Sequence, residues 1–183
     1  MRKISFKVLT LSCILFLIFI GCKNEKKQVE KNLEQMMSQP VSLGLEKMQC
    51  RRAPIKYNGS HYKMVVYIDS TECTPCSLSK LRFWNPLIKK ARTAKKGIDY
   101  VFIVAPKPSE MDDINLELSI TDLKSSIYLD TAYIFRKENP SIPSDRKYHS
   151  FLLDKNGKIC FVGSPIDNEK IKAIYGKTIG LKQ

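Results

Sequence analysis

The chain has 183 residues, 43% of them hydrophobic, and a formal net charge of +13. That length fits one domain, and the apolar share is ordinary for a globular protein that buries a real core. The basic residues are spread along the chain and not massed in a block with interleaved aromatics. This excludes a concentrated nucleic-acid-binding stripe and leaves a solvated basic surface, compatible with an anionic membrane or acidic partners.

Residues 1–7 are short and positive, residues 8–20 are apolar except for Thr10 and Ser12, and Gly21-Cys22 closes the run. This is the n-region and h-region of a secretory signal, and the apolar part is shorter than the ~20 residues a membrane span needs. Phe19-Ile20-Gly21-Cys22 resembles the bacterial lipobox, with Phe19 where Leu is usual. The resemblance implies cleavage before Cys22 by signal peptidase II and a diacylglycerol on the Cys22 thiol. The alternative is a plain N-terminal anchor that stays attached. The expected organisation is a lipoprotein signal peptide over residues 1–21, a charged, Gln/Ser-rich flexible tether over 22–45, and a domain over 46–183. Residues 29–37 within the tether have some helical character. The address is a bacterial cell envelope, with the domain outside the cytoplasm. Such a protein rarely meets nucleic acid.

Within the domain, residues 61–68 read as a strand. Residues 74–92 read as a helix that Pro86 must kink or interrupt. Residues 98–105 form a near-continuous apolar run, the mark of a strand buried on both faces. A helix is expected over 110–122, a short strand over 126–129 and a short helix over 131–137. Residues 150–153 and 158–162 make a hairpin around Asn156-Gly157. A last helix covers 168–175, with Gly176 as its stop. The order predicts an α/β fold: a three-layer sandwich with a mixed central sheet and flanking helices.

The chemistry lies in Cys73-Thr74-Pro75-Cys76, a Cys-x-x-Cys directly after a strand and at a helix start. A thiolate is the species that attacks a disulfide, and the unpaired N–H groups at a helix start favour it at Cys73. Cys76, one turn on, can attack the mixed disulfide and release the partner. Pro75 suits a first turn, where no N–H is needed. Of the other cysteines, Cys13 leaves with the leader. Cys50 sits in an edge segment and Cys160 in an apolar strand, where a buried inert thiol is the default. A disulfide between these two is possible if their strands are adjacent. Asp69, after the first strand, is either a proton acceptor for Cys76 or a turn residue. His61 and Trp84 read as structural, Trp84 packing on the sheet.

Residues 65–84 (VVYIDSTECTPCSLSKLRFW) and 150–165 (SFLLDKNGKICFVGSP) resemble the TlpA-type thioredoxin-like bacterial lipoproteins, and the likeness runs from about residue 48 to 180. It implies a thioredoxin-like fold and thiol-disulfide oxidoreductase activity on exported thiol or disulfide proteins. A membrane thiol electron carrier is a possible further partner, and no cofactor is implied. Cys73 and Cys76 match the catalytic pair. Two positions depart from the family. Glu72 stands where Trp is usual, and a carboxylate beside Cys73 disfavours its thiolate. Lys147-Tyr148-His149 stands where a cis-proline precedes the hairpin, and Pro143 is too far upstream to replace it. A cis bond without proline costs about 3 kcal/mol, so a trans bond or a changed loop is expected. Glu72, Pro75, Tyr148 and His149 are thus the expected neighbours of the cysteines. Two alternatives remain. One is a copper- or zinc-binding thioredoxin-fold protein using both thiolates and His149, a partial resemblance to copper-chaperone folds. The other is a non-catalytic lipoprotein in which the pair only staples the helix start.

Overall fold

The computed structural model describes residues 25–52 and 61–181. The leader, Cys13 and the Cys22 lipidation site lie outside the described residues. The chain divides into two units at Gln35/Met36. Of the first unit the described part, residues 25–35, is helical, and the helix (α1) covers residues 25–37. In the second unit, the chain from Val41 onward is bonded to the domain. Val41 N–H donates to the Gly157 carbonyl at 2.9 Å, and Lys47 pairs with Glu138 at 2.6 Å.

Six strands form one sheet: β1 (Gln49–Arg52), β2 (Tyr62–Ile68), β3 (Ile98–Val104), β4 (Ser126–Leu129), β5 (Ser150–Leu153) and β6 (Ile159–Val162), in the spatial order β1-β4-β3-β2-β5-β6. β2, β3 and β4 run parallel, with Val65 opposite Val101 and Phe102 opposite Ile127. β1, β5 and β6 are antiparallel to their neighbours. β2 and β3 are nearly all apolar because both of their faces are covered.

Side chains alternate across the sheet. Met64, Val66, Ile68, Tyr100, Phe102 and Val104 share one core with residues of α2 (Thr74–Ser79), α3 (Asn85–Thr93), α4 (Met111–Ile120) and α6 (Glu169–Thr178). Trp84 stands edge-on to Phe102 at 5.7 Å, so it packs on the sheet as expected. On the opposite face, Phe135 of α5 (Ile134–Glu138) lies 4.6 Å from Tyr67 and stacks on Phe151. The result is the expected three-layer, thioredoxin-like sandwich.

Two expectations need correction. Residues 74–92 are interrupted, but before Pro86 rather than at it: α2 ends at Ser79, a 3-10 turn covers Leu81–Trp84, and α3 starts afresh. Pro86 falls in the first turn of α3, where its missing N–H would have had no helical partner. Gly176 does not stop the last helix, which continues to Thr178. The stop is Gly180, in the left-handed region at φ +64. Gly180 N–H donates to the Lys177 carbonyl and Leu181 N–H to the Gly176 carbonyl, the pair of bonds that closes a Schellman motif.

Candidate active site

β2 delivers the chain to the site. Just past its end, Asp69 turns the backbone: its carboxylate accepts the Thr71 N–H at 3.0 Å, and its carbonyl accepts the Glu72 N–H at 2.9 Å. Cys73 is then the N-cap of α2, in extended conformation, with Pro75 in the first turn. Thr74 and Leu78, four apart on one helix face, are fully buried and fix the helix on the core. Cys76 lies roughly 200° around the helix from Thr74 and so faces outward. Both Cys73 and Cys76 are exposed, and they are joined as a disulfide with their Cα atoms 5.4 Å apart.

Beside the cysteines lies a chain of charged groups. Glu72, with 14% of its side chain exposed, faces His149 Nδ1 at 3.4 Å and Arg146 Nε at 3.4 Å. His149 is 2% exposed. Its Nε2 lies 3.1 Å from the Pro143 carbonyl and 3.3 Å from an Arg136 guanidinium nitrogen. Arg136, on α5, donates to Asp69 at 2.7 Å and to the Ile142 carbonyl at 2.6 Å, and its guanidinium lies over the Tyr67 ring. Burial pushes the Asp69 carboxyl up, but the Arg136 hydrogen bond and the Thr71 N–H outweigh it and hold the group below its ordinary value. Burial, followed by the Asp69 charge, drives the Tyr67 phenol well above its ordinary value.

The expected site residues separate accordingly. Cys73, Cys76, Pro75 and Glu72 are contiguous, and the fold brings His149 to Glu72 across 77 positions of sequence. Tyr148 is buried in the 3-10 turn Arg146–Tyr148 before β5, beneath the Lys147 ammonium. Among the described residues every peptide bond is trans, including those around Tyr148 and His149. Asp69 is a turn residue paired to Arg136. Cys50 and Cys160, both free, lie on the two opposite edge strands of the sheet, so the condition for their pairing is not met. Among the described residues no group of three or more His, Cys, Asp or Glu side chains is placed to hold a metal ion. In the alternative copper or zinc set His149 would have to join the two thiolates, whereas here its Nδ1 faces Glu72 and its Nε2 the Pro143 carbonyl. Arg136 and Arg146 were not foreseen. Each gains its place through tertiary contact alone, and no local motif marks it.

The strand order and an exposed Cys-x-x-Cys disulfide at the end of β2 define a thioredoxin-like domain with a dithiol/disulfide site. No protein-family model matches the chain, and no curated protein matches it either. Three solved structures illustrate its likenesses. A protein of Chlorobium tepidum described as thiol:disulfide interchange protein DsbE is 17% identical, with a TM-score of 0.48 over 67% of this chain and 81% of that one. A protein of Bacteroides thetaiotaomicron described as a protein disulfide isomerase is 20% identical, with a TM-score of 0.47 over 66% of this chain and 72% of that one. Peroxiredoxin Q of Xanthomonas campestris is 10% identical, with a TM-score of 0.48 over 79% of this chain and 92% of that one. Among the described residues no helix is long and apolar enough to cross a membrane.

Proposed function

We propose that the protein is an exported, lipid-anchored thiol-disulfide oxidoreductase that works through Cys73 and Cys76. The observation that carries this reading is the exposed disulfide at the start of α2, open to a protein partner. In the reducing direction the Cys73 thiolate attacks a partner disulfide. One partner sulfur bonds to Cys73 and the other leaves as a thiolate that takes up a proton. The Cys76 thiol loses its proton and attacks the Cys73 sulfur, releasing the second partner thiol and restoring the Cys73–Cys76 disulfide. The partner gains two electrons and two protons, which a thiol electron carrier of the membrane replaces in the dithiol. Run backwards, the same steps oxidise a partner.

The proposed address rests on the leader: residues 1–21 a signal peptide, Cys22 lipidated, and residues 22–45 linking membrane to domain. Mass spectrometry of the mature protein should find Cys22 as an acylated N-terminus, and an intact Met1 would refute the anchor. The activity is tested by trapping. Full-length Cys76→Ser protein should accumulate mixed disulfides with envelope proteins that dissolve on reduction, while Cys73→Ser protein should not. Equal trapping by both variants, together with no reduction of insulin by the wild type, would favour a purely structural disulfide.

A further inference from the structure

Glu72 and His149, 77 positions apart in sequence, meet beside the cysteines. Glu72 puts a carboxylate next to the attacking sulfur, and His149 fills the loop position before β5. The imidazole faces that carboxylate at 3.4 Å. We infer that His149 is a positioning residue: with Arg146 it holds and neutralises Glu72, and so keeps the Cys73 thiolate accessible. The inference deepens the thiol-disulfide reading and rests on it.

The ring is tightly specified. Nδ1 faces a carboxylate, which when ionised can only accept, so Nδ1 carries a hydrogen. Nε2 faces the Pro143 carbonyl, which accepts, and an Arg136 N–H, which donates. Nε2 is thus satisfied as donor to one or acceptor from the other, and in both cases the Nδ1 hydrogen points at Glu72. The ring also stands edge-on to Tyr67 at 5.2 Å, which leaves a buried imidazole little room to turn. Arg136, held in turn by Asp69 and the Ile142 carbonyl, fixes the far side. The charged and titratable groups around His149 are therefore Glu72 before α2, Arg146 of the 3-10 turn and Asp145 at its N-cap, Arg136 on α5, Tyr67 on β2 and Asp69 just past its end.

Glu72 is consequently clamped from two sides, its backbone by Asp69 and its carboxylate by His149 and Arg146. A free carboxylate one residue from Cys73 would repel the thiolate. Across the few ångströms between adjacent residues, at an effective dielectric between those of protein surface and water, such repulsion changes the thiolate fraction by about tenfold. Shared with an imidazole N–H and a guanidinium, most of that charge is offset.

The test uses reduced full-length protein and reads the alkylation rate of Cys73 peptide by peptide against pH, which needs no partner protein. His149→Ala should slow Cys73 alkylation at pH 7 by about three- to tenfold, because Glu72 then keeps only Arg146 as a partner and repels the thiolate more strongly. Removing that charge as well, in E72Q/H149A, should bring the rate back to within about twofold of E72Q alone. A purely packing role for His149 would leave the double variant as slow as H149A, and that result, or an H149A rate within twofold of wild type, overturns the inference. If H149A does not fold, the same cycle with His149→Gln must show rescue of the same sign, and its absence overturns the inference equally. Failure of the broader reading looks different: wild-type protein with reactive cysteines and no disulfide exchange.

Discussion

Asp69 holds an ionised carboxylate where only 6% of the residue meets solvent, so its charge depends on protein groups. The Arg136 guanidinium at 2.7 Å and the Thr71 N–H supply the replacement for water. Arg136→Ala would leave that charge uncompensated and remove the bond to the Ile142 carbonyl as well. We expect it to cost about 3 kcal/mol of stability, read from urea melts at pH 7. Because the folded carboxyl sits below its unfolded value of 3.8, the pair contributes fully above that pH and loses its contribution as pH falls through the folded value. Wild-type stability should therefore drop below about pH 4, and the variant should lose less over the same window. An acid limb of equal slope in both proteins would show that Asp69 does not carry the effect.

At the scale of elements, α6 shows what local chemistry settles and what it does not. Its start is legible in sequence: the Asn168 carboxamide accepts from Lys170 N–H at 2.8 Å and Ile171 N–H at 3.3 Å. Its end is not, because Gly176 and Gly180 are both credible stops when read locally. The choice is made by packing. Tyr175 and Ile179, four apart, are both buried, and the Tyr175 hydroxyl bonds that of Tyr100 at 2.8 Å. Helix must continue through Gly176 to deliver Ile179 to the same core. The break between α2 and α3 has a similar origin: Asn85 bonds the Asp122 carbonyl and the Lys124 N–H, which pins the start of α3 to the chain leading into β4. Asn168→Ala should cost about 1 kcal/mol, and Asn168→Asp should keep near wild-type stability because a carboxylate caps as well and suits a helix start. Thermal melts compare the three proteins, and an alanine variant as stable as wild type would show that the cap contributes nothing.

Over the whole molecule, β2 to β6 were readable from apolar runs, because β2 and β3 are covered on both faces and β4 to β6 are bounded by turn residues, whereas β1 (QCRR) is an exposed edge with no such run. The Cys73–Cys76 turn was readable because spacing and helix start are both local. Of the groups that surround it, His149 is expected through the resemblance, whereas Arg136 and Arg146 reach Asp69 and Glu72 only through the return of the chain in α5 and in the 3-10 turn before β5. The same holds for Cys50 and Cys160, whose relation only the strand order decides. Their strands are the first and last in the sheet, five spacings of ~4.8 Å apart, or roughly 24 Å. A disulfide needs Cα atoms within about 7 Å, so no shift of a side chain joins them. The two free thiols differ further. Cys50 is exposed on its edge strand, whereas burial pushes the Cys160 thiol above its ordinary value and its Sγ lies 3.4 Å from the Leu152 carbonyl. Alkylation of oxidised, folded full-length protein should therefore label Cys50 first and Cys160 slowly. Unfolding without reduction should label both completely, and Cys73 and Cys76 should react after reduction. A cross-linked peptide joining Cys50 to Cys160 would contradict the strand order itself.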